Sequence, residues 1–70
     1  MDYTAEEMTE FFEYLDELRL SGETNMFGAG AYLVEDFGMQ KGDAGRVLSA
    51  WMKSFDAEKP ANARAAEQVA

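Results

Sequence analysis

The chain has 70 residues, no Cys and no His, and six Lys and Arg against fourteen Asp and Glu, for a net charge of −8. That length allows one small domain, and the missing Cys and His exclude disulfides and a Cys/His zinc site as sources of its stability. No apolar run approaches the roughly 18–20 residues that span a bilayer, and Met1-Asp2-Tyr3-Thr4 has no basic, apolar character of a signal sequence, so a soluble, cytoplasmic protein is expected.

The charge is unevenly placed. Residues 1–38 hold ten acids and one base, residues 39–55 three bases and one acid, and residues 56–70 three acids and two bases. A field of this sign repels nucleic acid and anionic membranes and attracts basic surfaces.

The first predicted element is a helix from about Ala5 to Leu20. Thr4-Ala5-Glu6-Glu7 has the pattern of a capping box, with Tyr3 and Met8 spaced for a hydrophobic staple. Met8, Phe11, Phe12, Leu15 and Leu18 then recur at helical spacing and define one apolar stripe. Phe11 and Phe12 point about 100° apart, which predicts one of them at the core edge. Gly22 is a natural stop, because glycine tolerates the left-handed conformation that ends helices.

Residues 23–30 read as an ordered loop, with Asn25 as a candidate N-cap and with Met26 and Phe27 too apolar to be idle. Gly28 and Gly30 weaken a helical first turn and suggest close backbone packing. A second, shorter helix follows from Ala31, with Tyr32, Leu33 and Phe37 inward and Gly38 at its end. A third helix spans Lys41 to Phe55, where Ala44, Val47, Leu48, Trp51, Met52 and Phe55 form a broad apolar face. Residues 56–70 contain the only proline, Pro60, and Ala-rich polar sequence, and read as a disordered or weakly helical tail.

The expected fold is therefore all-α: a small three-helix bundle over residues 1–55, helix-turn-helix-like in its second half, with a flexible C-terminal tail over 56–70.

No catalytic constellation emerges. The hydroxyls lack an activating His, and Gly28-Ala29-Gly30 has neither the preceding strand nor the following Lys-Ser or Lys-Thr of a phosphate loop. Glu6, Glu10, Glu13 and Glu17 recur at three- and four-residue intervals on the side of the first helix away from the core, without calcium-loop spacing. The expectation is a non-enzyme with no cofactor and no metal. A helix-turn-helix reading would place Arg46 and Lys53 against DNA, but two bases in a −8 chain neutralise few phosphates, and affinity for DNA depends on that neutralisation.

The run Phe12-Glu13-Tyr14-Leu15-Asp16-Glu17-Leu18-Arg19, followed by Ser21-Gly22-Glu23-Thr24-Asn25-Met26-Phe27-Gly28-Ala29, resembles a group of small helical proteins of tailed bacteriophages. The similarity continues through Tyr32-Leu33, Ala44, Val47-Leu48 and Trp51-Met52, covering about residues 8–55. Asn25-Met26-Phe27-Gly28 is its most distinctive part, since helix periodicity does not demand it. The resemblance implies a phage or prophage origin and action in the cytoplasm of a bacterial host, and it carries no catalytic residue.

The favoured function is an acidic protein-binding module that modulates a host nucleic-acid-acting enzyme by occupying its basic surface. The expected contacts are Glu6, Glu10, Glu13 and Glu17, with Asp16, Glu35 and Asp36 as additions and Asn25, Met26 and Phe27 as a neighbouring loop. A DNA-binding regulator using Arg46 and Lys53 is one alternative. A structural protein that forms a homo-oligomer through an apolar rim near Tyr14 and Met26 is another.

Overall fold

A computed structural model describes residues 3–69. Asp2, counted above in the acidic N-terminal segment, and Ala70 of the tail lie outside them. The described residues form four α-helices: α1 (Ala5–Ser21), α2 (Ala29–Phe37), α3 (Lys41–Ser54) and α4 (Ala61–Val69), with a 3-10 turn over Met26–Gly28. There is no strand among the described residues.

The start of α1 is fixed by the predicted capping box. The Glu7 amide donates to Thr4 Oγ1 at 3.1 Å and the Thr4 amide donates to Glu7 Oε1 at 3.0 Å, which satisfies two helix-end donors reciprocally. Gly22 ends α1 and Gly38 ends α2, with φ of 70° and 68°. Both are left-handed positions at which a Cβ would be strained. Gly38 also makes the turn between α2 and α3, which pack against each other.

The core is continuous across the helices. Met8, Phe11, Phe12, Leu15 and Leu18 of α1 join Leu33 of α2 and Ala44, Val47, Leu48 and Trp51 of α3. Phe11 and Phe12 are both buried, so neither sits at a core edge. The reason is that α1 is packed on several sides, touching α2, α3 and α4. Phe11 meets Tyr3 and Phe37 edge-to-face at centroid distances of 5.1 and 5.0 Å, a favoured aromatic geometry.

The C-terminal segment departs from expectation. In place of a flexible tail, residues 61–69 form α4, and its pairing with α1 is the most extensive helix contact in the molecule. Pro60 lies immediately before the helix and its carbonyl accepts from the Ala63 and Arg64 amides. Proline suits a helix start, where its missing N–H removes nothing. Ala61 and Ala65, both buried, bring the helix close to α1, and between them Arg64 is only 2% exposed.

That buried cation is held by Asp16 of α1. Arg64 Nη2 donates to Asp16 Oδ2, Arg64 Nε donates to the Lys59 carbonyl at 3.2 Å, and Trp51 Nε1 of α3 donates to Asp16 Oδ1 at 2.9 Å. One carboxylate thus joins α1, α3 and α4. Arg64 Nη1 has no hydrogen-bond partner among the described residues, but the guanidinium carbon lies 5.3 Å from the Phe55 ring centroid, where the π face favours a cation.

Candidate functional site

Five of the carboxylates of α1 separate by role. Glu7 closes the capping box, whereas Glu6, Glu10, Glu13 and Glu17 are exposed and take part in no ion pair among the described residues, whose salt bridges are Lys59–Glu67 and Arg64–Asp16. The four span eleven residue steps, from position 6 to position 17, about 16 Å at 1.5 Å per residue. They form an uncompensated row of negative charge along the outer flank of α1, and the sequence periodicity alone brought them together.

At its C-terminal end the row continues across α1 onto α2. Glu17, Glu23, Glu35 and Asp36 line one cleft of about 370 Å³, together with Tyr14 and Tyr32. Glu35 and Asp36 were expected as additions; Glu23 enters because the turn at Gly22 carries it to the mouth of this cleft. Tyr14 donates to Asp36 Oδ2 and packs edge-to-face on Phe37 at 5.2 Å. Burial first, and then the hydrogen bond and charge of Asp36, push the Tyr14 phenol up to about 12.

Asp16 does not belong to the contact surface considered for it. It faces Arg64 and Trp51, as described above, because the seam with α4 covers it. The signal for this was the i, i+3, i+4 spacing of Ala61, Arg64 and Ala65, which a search for large apolar residues passes over.

The loop residues also divide. Asn25 is the N-cap of the 3-10 turn: its Oδ1 accepts from the Gly28 amide at 3.1 Å. Met26 is half-buried against the core. Phe27 is 87% exposed. A Cβ at Gly28 would come within 3.1 Å of Thr24 Oγ1, so close packing does account for that glycine. It does not account for Gly30, where a Cβ would meet only Leu48 Cδ2 at 3.9 Å.

Arg46 and Lys53 are exposed on α3, two helical turns apart, on the helix that a helix-turn-helix protein would present to DNA. Asp43, in the first turn of α3, accepts from the Tyr3 hydroxyl at 3.2 Å. No group of three or more His, Cys, Asp or Glu among the described residues is arranged to hold a metal ion, and no described helix is long and apolar enough to cross a membrane.

Comparison with protein-family models, curated proteins and solved structures finds no match for this chain.

Proposed function

We propose that the chain is a non-enzymatic protein-binding module, an accessory protein of phage origin in the bacterial cytoplasm, whose partner carries a basic, nucleic-acid-binding surface. The observation that supports this reading is the outer flank of α1, where Glu6, Glu10, Glu13 and Glu17 stand exposed without a cation partner among the described residues. Charges left uncompensated on one face steer association with an oppositely charged surface and suppress contact with nucleic acid.

The test is capture from a nuclease-treated bacterial lysate by the wild-type protein and by a variant with all four glutamates changed to Gln. Gln keeps side-chain size and helix propensity. The expected result is a partner retained by the wild type at low salt, released at high salt because exposed charges are screened, released by competing duplex DNA, and not retained by the variant. Equal retention by both proteins would remove the acidic flank from the mechanism.

A second reading, a DNA-binding regulator, draws on the α2–Gly38–α3 turn and the exposed Arg46 and Lys53. A gel-shift titration distinguishes it: a sequence-specific complex with nanomolar Kd, weakened by Arg46→Ala, would favour the regulator over the protein-binding module.

A further inference from the structure

We propose that the α2–α3 face, together with Phe27, is a contact surface between two copies of this chain. This does not rest on the acidic-flank reading, since no α1 residue lines the face.

Phe27 is 87% exposed, an unusual position for a large aromatic side chain. It stands at the edge of a groove of about 560 Å³ between α2 and α3, floored by Gly30, Ala31, Val34, Ala44, Gly45 and Leu48. Two of these residues have no explanation inside the chain. A Cβ added at Gly45 would meet nothing within 4 Å, and one at Gly30 would meet Leu48 only at ordinary contact distance. Gly45, inside α3, costs about 1 kcal/mol relative to Ala. What the absence of side chains does provide is depth, an apolar recess beside an exposed ring.

The patch is self-complementary, which is what a twofold interface requires: the same surface must supply both halves of every contact. Phe27 is a projection and the groove a recess. Glu35 and Lys41 both line the groove, and neither is in an ion pair among the described residues. With the twofold axis along the groove, α2 of each copy faces α3 of the other, which brings Glu35 of one copy toward Lys41 of its partner. With one acid and one base the rim is balanced, so a strongly basic partner finds better complement on α1. Helices α2 and α3 together hold three acids and three bases, so two −8 chains meet here with less repulsion than along α1. Self-association is, in addition, a usual aid to a domain this small without disulfides or metal.

The experiment is analytical ultracentrifugation of the full chain from low- to high-micromolar concentration. The wild type is expected to dimerise reversibly. Phe27→Ser, which removes an exposed ring and leaves the core intact, should weaken the dimer by about tenfold or more. Gly45→Leu should do the same by filling the recess, while its far-ultraviolet circular dichroism and melting temperature stay at or above wild type, because Leu is the better helix former. Glu35→Lys and Lys41→Glu should each weaken the dimer, and the double exchange should restore it. A wild type that is monomeric throughout would overturn the proposal, as would a dimer indifferent to Phe27→Ser and Gly45→Leu. A monomeric wild type whose Phe27→Ser variant loses a captured heterologous protein would assign the face to that protein instead.

Discussion

The inner and outer flanks of α1 carry the same chemical group in opposite circumstances. On the inner flank, Asp16 is held between a 2%-exposed Arg64 and the Trp51 indole. On the outer flank, Glu6, Glu10, Glu13 and Glu17 touch no cation among the described residues. The difference shows that net charge and periodicity say little about what a carboxylate does in a small helical protein. What matters is whether another helix closes over it, and here α4 closes over only one side of α1.

The largest loss of stability is expected at Asp16. Asp16→Ala would strand the Arg64 guanidinium, buried and without its counter-ion, and should cost about 3–5 kcal/mol, enough to unfold much of so small a domain. Chemical denaturation followed by Trp51 fluorescence measures it. Arg64→Met should cost much less, about 1 kcal/mol, because it keeps an unbranched stem in the α1–α4 seam and leaves a carboxylate that is 27% exposed and can take water. Equal losses from the two substitutions would mean that the seam is held by packing alone.

Glu7 sharpens the division, as an α1 glutamate that acts within the fold. Glu7→Ala or Thr4→Ala should each destabilise by about 1 kcal/mol through loss of the capping box, a shift readable in the thermal midpoint. The same change at Glu10, one helical turn on, should not move that midpoint.

Tyr14 offers a smaller, pH-dependent handle at the acidic cleft. Its phenol is held protonated up to about 12, above its ordinary value of 10.0. The stabilisation from the neutral phenol is therefore complete below pH 10 and is lost as pH rises through about 12, because the unfolded chain gives up that proton first. Melting curves of Tyr14→Phe should fall less steeply than wild type between pH 10 and 12. Identical slopes would show that the folded protein does not hold the Tyr14 phenol above its ordinary value.

The fold was legible wherever large apolar residues repeat at helical spacing. The stripe from Met8 to Leu18 and the face from Ala44 to Trp51 identified α1 and α3, and Thr4, Gly22 and Gly38 marked where helices begin and end. α4 was not legible by the same means, because it buries Ala61, Arg64 and Ala65. Alanine contributes little to an apolar stripe, and a buried arginine reads as a surface residue until its partner is known. That partner, Asp16, is 48 positions away. The exposed glutamates could be placed from periodicity, since an outward face follows once the inward one is known. The α2–α3 groove could not, because its depth depends on how two helices meet across Gly38 and on where the 3-10 turn leaves Phe27.

A carboxylate that maintains the fold, on the inner flank of α1, and four that do not, on its outer flank, must differ in what their neutralisation does to stability. Thermal melting of Asp16→Asn beside the variant carrying Gln at Glu6, Glu10, Glu13 and Glu17 tests it most directly. The single substitution is expected to lower the midpoint markedly, while removing four charges changes stability within about 0.5 kcal/mol, the range of ordinary surface substitutions, or raises it by relieving like-charge repulsion. A four-fold variant that melts well below wild type, or an Asp16→Asn protein that melts with it, would contradict the claim.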